Sequence, residues 1–193
     1  MSSNKREITY FSSAGPNNTE KTLALAKQRA DALGLRTILV ASTTGETGLA
    51  AARLFKGQQV VVVAHSHGFR QANTQEMPAE TMEAIRAAGA QLLVCQHALG
   101  GVGRAVRVRL GTYEVDEIIA HTLRLFGQGL KVAVEISLMA ADAGLATVGE
   151  PTLAIGGTGR GADTAVILRP VNVMHFFDLS ILEIICMPGG VGV

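Results

Sequence analysis

The chain has 193 residues, enough for one sizeable domain, and 48% of them are hydrophobic, which excludes a disordered polymer. Seventeen basic and 16 acidic side chains give a net charge of +1, so no global field draws the chain to nucleic acid or to an acidic membrane, and neither is expected as a partner. Charged residues make up only 17%, against roughly 25% in typical soluble domains, so part of the surface is expected to be covered, most simply in a homo-oligomer.

Ile8 to Phe11 reads as a short strand, followed by the turn cluster from Ser12 to Thr19 and a helix over Thr19–Leu33. Asn17 or Asn18 is positioned to cap that helix, Leu23, Ala26, Ala30 and Leu33 form its apolar stripe, and Gly34 ends it. Arg36–Ala41 is a strand that runs into Ser42–Gly48 and an alanine-rich helix ending at Phe55. Val60–Ala64 is a continuous run of branched residues, the pattern of a parallel strand covered on both faces. A helix from Pro78 to Ala88 and a strand over Gln91–Cys95 follow. Leu99–Gly103 and an arginine-bearing stretch lead to a helix that Thr112 caps and that runs to Phe126, with Val115, Ile118, Ile119 and Phe126 inward. Lys131–Gly144 fits a helix better than a strand because of its length and its alanine-rich tail. Thr152–Ile155 and Thr164–Leu168 are strands around a glycine-rich turn, and Leu182–Met187 is the last strand.

Alternating strands and helices predict a single three-layer α/β domain over residues 1–193, with a mostly parallel open sheet. Ligands of such sheets lie beyond the carboxyl ends of the strands. The turns after Ala41, Ala64, Cys95 and Ile155 are therefore the places to look for chemistry. Glycine, at 22 residues, is in excess, and nine of these glycines fall at Gly45, Gly48, Gly100, Gly101, Gly103, Gly156, Gly157, Gly159 and Gly161, after strands. Cys95 and Cys186 are far apart and form no C-x-x-C, the N-terminus leads into no apolar segment, and no uncharged apolar run reaches the roughly 18–20 residues of a membrane span. A reduced, cytoplasmic protein is the expectation.

Ser42-Thr43-Thr44-Gly45-Glu46-Thr47-Gly48 joins a strand to a helix start, with Thr43 and Glu46 in capping-box spacing. Free amides and hydroxyls there suit an anion such as phosphate, but the loop lacks G-x-x-x-x-G-K-[ST] and G-x-G-x-x-G, so it supports neither ATP hydrolysis nor dinucleotide binding. An ordinary helix cap would need only one of these hydroxyls. Gly156-Gly157-Thr158-Gly159-Arg160-Gly161-Ala162-Asp163-Thr164 allows close backbone approach, offers the Arg160 charge to a phosphate and offers Asp163 as an acceptor; a flexible hairpin is the simpler alternative. Arg104, Arg107 and Arg109 read as a solvated or subunit-facing edge. His65 and His67 put two imidazoles at a strand end, more apt for a ligand contact than for zinc, because no further ligand cluster is evident; no metal is expected. Cys95 near His97 reads as a buried cysteine rather than a nucleophile, and Glu135 and Asp142 as charges aimed at water from an apolar helix.

Six strings carry a family resemblance: Asn17-Asn-Thr-Glu, Val40-Ala-Ser-Thr-Thr-Gly-Glu-Thr, His65-Ser-His-Gly-Phe69, His97-Ala-Leu-Gly-Gly-Val-Gly-Arg104, Val134-Glu-Ile-Ser-Leu-Met-Ala-Ala-Asp-Ala-Gly144 and Gly156-Gly-Thr-Gly-Arg-Gly-Ala-Asp-Thr-Ala165. Together they span nearly the whole chain. The pattern resembles the C-terminal α/β domain of pyruvate kinase, and more closely the small stand-alone proteins of that fold. The resemblance implies a mixed-sheet α/β domain and an association with FMN, but not pyruvate kinase activity, because the kinase active site lies on a barrel domain that 193 residues cannot also hold. Glu46 stands where the kinase loop often carries a basic residue, which suits a ligand with one phosphate better than a sugar bisphosphate. On this reading the phosphate lies at Ser42, Thr43, Thr44, Gly45, Glu46 and Thr47, while His65, His67, Gly100, Gly101 and the loop carrying Gly156, Gly157, Thr158, Arg160, Gly161, Asp163 and Thr164 touch the ring and ribityl chain. Whether the protein catalyses a reaction is left open. The other reading is a non-catalytic sensor of a different phosphorylated metabolite.

Overall fold

The elements of the computed structural model, which describes residues 5–189, run β1 (Thr9–Phe11), α1 (Thr19–Leu33), β2 (Thr37–Ala41), α2 (Glu46–Leu54), β3 (Gln59–Ala64), α3 (Ala79–Ala87), β4 (Gln91–Val94), α4 (Val102–Leu110), α5 (Val115–Leu123), α6 (Gln128–Asp142), β5 (Thr152–Gly156), β6 (Thr164–Arg169) and β7 (Ser180–Pro188). Residues 1–4 and 190–193, the ends of the domain expected over 1–193, lie outside the described part. Three 3₁₀ turns, Pro16–Asn18, Arg124–Phe126 and Val173–Asp178, complete the elements among the described residues. The strands form one sheet in the order β1-β7-β6-β5-β2-β3-β4. All adjacent pairs are parallel except β5 with β6 and β6 with β7, so β6 alone runs against the rest. The expected mostly parallel α/β fold is the one observed.

The branched runs of the central strands follow from burial on both faces. In β2, Ile38 and Val40 enter the layer beneath α1, α2 and α3, while Leu39 enters the opposite layer beneath α6. In β3, Val60, Val62 and Ala64 face the first layer and Val61 and Val63 the second. The second layer is thin, and α6 lies directly on the sheet with almost every residue buried. Its approach is close because Gly129 meets Gly156: a Cβ on Gly156 would collide with the Gly129 carbonyl, and one on Gly129 with Thr164 and Asp163. No helix among the described residues is long and apolar enough to cross a membrane.

Several local expectations are corrected. Asn18 holds the N-cap position of α1, but its amide turns back to the carbonyls of Ser13 and Gly15, and Leu33 is exposed at the last turn, which Gly34 closes. The arginine-bearing stretch is the helix α4. Glu114, not Thr112, precedes α5, and Val115, Ile118 and Phe126 point outward, because Glu117 and Ala120 take the inward positions.

Asp163 organises the β5–β6 turn. Its carboxylate is wholly buried and accepts hydrogen bonds from the N–H groups of Gly15 (2.9 Å) and Thr158 (3.1 Å) and from the Thr164 hydroxyl (2.8 Å). It thereby ties the turn to the loop before α1. Asp163→Ala strands these donors and is expected to cost about 2–4 kcal/mol, measurable as a fall in the urea unfolding free energy.

Candidate functional site

The carboxyl ends of β2, β3 and β5 open on one cavity of about 260 Å³, beside the switch point where the chain runs outward from β2 in both directions. Its first wall is the start of α2. Gly45 turns the chain with a positive φ of 93°, and a Cβ there would strike Thr81. The Ser42 hydroxyl accepts the Gly48 N–H at 3.1 Å, so Ser42, rather than the Thr43–Glu46 box, caps the helix. The N–H groups of Glu46 and Thr47 are left without intrahelical acceptors, and Thr43, Thr44, Glu46 and Thr47 line the cavity.

A second wall follows β3. His65, Phe69 and His97 form a ring cluster, with centroids 4.0 Å apart for His65–Phe69 and 4.7 Å for Phe69–His97. The Arg104 guanidinium sits 5.0 Å from the Phe69 centroid. Nδ1 of His65 lies 2.6 Å from Glu76 Oε2, and Arg70 pairs with the other Glu76 oxygen at 2.9 Å. These contacts fold the 65–77 loop back onto the strand end.

The floor is α6. Lys131 and Glu135, one turn apart and both almost wholly buried, form an ion pair. The other Glu135 oxygen accepts the Leu99 N–H at 3.0 Å, which anchors the loop after β4. Burial pushes the Lys131 ammonium below its ordinary range, against the opposing pull of Glu135. Burial also holds His97 down at about 4; Lys131, Arg104 and His65 act in the same direction and Glu135 against it. The Cys95 thiol is raised by burial, the reverse of an activated thiolate. Arg70, Arg104, Arg124, Lys131 and Arg160 line the cavity against the carboxylates of Glu46 and Glu135, so its field favours anions.

Of the residues singled out from sequence, Ser42, Thr43, Thr44, Glu46, Thr47, His65, Gly157, Arg160 and Gly161 meet at this cavity. Gly45, His67, Gly100, Gly101, Gly156, Thr158, Asp163 and Thr164 lie outside its lining, and His67 is solvent-exposed. The glycines have packing reasons of their own. A Cβ on Gly101 would meet Gln96, one on Gly157 the Gly161 backbone, and one on Gly161 Thr19 and Pro16, whereas Gly159 faces open space. Glu135 does not reach water as its sequence context suggests; it is buried against Lys131, while Asp142 is exposed and accepts from Asn172. Lys131, Arg124, Gln128 and Glu76 were not anticipated. The i,i+4 spacing of Lys131 and Glu135 in an otherwise apolar segment was the available signal. Arg104 faces the cavity and Arg107 pairs with Glu117, so neither is merely a solvated edge.

An open, mostly parallel α/β domain with an anion-favouring cavity at its strand ends is the class that fold and site define. The chain matches the family model of the pyruvate kinase alpha/beta domain over residues 20–168 and belongs to that family. Among solved structures it is similar to a pyruvate kinase from Cryptosporidium parvum, at 14% identity over 79% of this chain and 23% of that one, with a TM-score of 0.43. It is also similar to a mutant O-ureido-L-serine synthase with O-ureido-L-serine bound, at 18% identity over 65% of this chain and 47% of that one, with a TM-score of 0.31. The chain thus spans about a quarter of the kinase it matches.

Two outcomes are expected from the floor. Lys131→Met leaves Glu135 buried without its partner and is expected to cost about 3–5 kcal/mol; Lys131→Met combined with Glu135→Leu is expected to cost less than the two single losses added, in a urea-unfolding double-mutant cycle. His97 takes a proton near pH 6.5 when unfolded but only near pH 4 when folded, so stability falls as pH drops from about 6.5 towards 4 and is indifferent to this group above that window. His97→Gln is expected to shrink the difference between urea midpoints at pH 7 and pH 5; equal falls in both proteins would refute this origin.

Proposed function

We propose that this domain binds FMN in the cavity described, with the phosphate at the start of α2 and the ring system towards His65, Phe69 and His97. The observation that supports the reading is that an anion-accepting helix start and an aromatic cluster open on the same space. The donor set suits a phosphomonoester: the free N–H groups of Glu46 and Thr47, the hydroxyls of Thr43 and Thr44, and the Arg160 guanidinium. At about 260 Å³ the cavity is just below the roughly 300–1,000 Å³ usual for small-molecule sites, so a ligand of this size would keep one edge at the open mouth. Bound FMN would supply hydride or electron transfer, and the protein orientation and electrostatic environment. The neutral His97 and the cationic side chains of Arg104 and Lys131 would set that environment, favouring an electron-rich ring edge.

The test is titration of the purified protein with FMN, followed by flavin fluorescence and absorbance. FMN is expected to bind at least tenfold more tightly than riboflavin, which lacks the phosphate, and Thr44→Val to weaken FMN while the circular dichroism spectrum is unchanged. No affinity for FMN, together with tight binding of a sugar phosphate by calorimetry, would replace the flavin reading with a metabolite sensor.

A further inference from the structure

Helix α5 carries apolar side chains on both of its sides. Its inward side packs Ile119, Ala120 and Leu123 against the core, beside Glu117, which pairs with Arg107 at 2.9 Å. Its outward side carries Val115, Ile118 and Thr122, and Leu125 in the 3₁₀ turn that follows extends the same stripe. Val115 is 70% and Leu125 82% exposed. The stripe continues into the end of α4, where Val108 is 76% and Leu110 71% exposed. Tyr113 bridges the two helices, held at 5.6 Å by the Arg107 guanidinium and at 5.4 Å by the His121 ring. Tyr113, Ile118 and Leu125 also border one shallow apolar depression.

We propose that this face of α4 and α5 docks a second copy of the chain about a two-fold axis, α5 antiparallel to α5. The six apolar side chains expose on the order of 700 Å², beyond the usual patch of a monomer and close to the about 800 Å² that each partner contributes to a standard interface. The charges are self-complementary. Exposed Glu114 precedes the start of α5 and exposed His121 lies in its last turn, so an antiparallel pair sets the acidic end of each copy against the basic end of the other. A two-fold interface needs this property, because the same patch must serve on both sides. The scarcity of charge in the whole chain, 17%, agrees with a surface that is partly covered. None of these six side chains lines the cavity, so the pairing is independent of a ligand there.

Sedimentation of the purified chain at tens of micromolar is expected to give twice the 20.2 kDa monomer mass. Ile118→Glu with Leu125→Glu is expected to halve it while leaving the circular dichroism spectrum and the response to Asp163→Ala unaltered. A monomeric wild type, or a dimer that both substitutions leave intact, would overturn the proposal. Should the double variant fail to fold, Thr122→Cys decides. Thr122 is central on the stripe, so mild oxidation is expected to give a covalent dimer well above the wild-type background from Cys95, and a yield no higher than that background would refute the two-fold pairing.

Discussion

A helix that lies on a sheet and is itself enclosed has little room for charge, yet α6 buries two ionisable side chains. Lys131 and Glu135 are compatible with that position only as a pair, since either one alone would be a buried, uncompensated ion. Much of the site hangs on this pairing. The second oxygen of Glu135 holds the Leu99 amide, so the loop after β4 is fixed to the helix that covers the sheet. That loop carries His97, whose ring packs beside His65 and Phe69, and the enclosure that forces the ion pair also keeps His97 uncharged. An apolar pair of similar volume would fill α6 equally well. It would not anchor the Leu99 amide or put a cation on the floor of the cavity.

The sheet was legible because its chemistry is local. Branched residues filling Val60–Ala64 require burial on both faces, and the alternation of such runs with helical segments admits few arrangements. The carboxyl ends of the strands, and with them the Ser42–Thr47 corner of the cavity, follow from the same pattern. The glycine excess was legible in number and place but not in cause. Part of it permits close contact of chain with chain, Gly129 on Gly156 and Gly157 on Gly161, and such contacts exist only once α6 and the β5–β6 turn are in position. Glu135 was misread for a related reason. Spacing shows which residues share a helical face, but whether that face meets water depends on what α5 and the β4 loop place against it. In α5, Ile118 and Ile119 are adjacent, so periodicity permits either as the inward residue; the choice falls to Arg107, which makes it possible to bury Glu117.

Helix α4 connects the two halves of this structure. It has nine residues and buries none of them fully, so as an isolated helix it would be marginal. Three contacts hold it: Arg107 to Glu117, Arg104 against Phe69, and the close approach of Asp116 that Gly103 allows. Its inward side delivers Arg104 to the cavity, and its far end turns Val108 and Leu110 outward. An occupant on either side would order the same nine residues. A ligand that engages Arg104 would stiffen the helix from within, and a partner that covers Val108 and Leu110 would stiffen it from without. One short helix thus supplies both an arginine of the cavity and part of the apolar face, held between them by contacts to α5 and to Phe69.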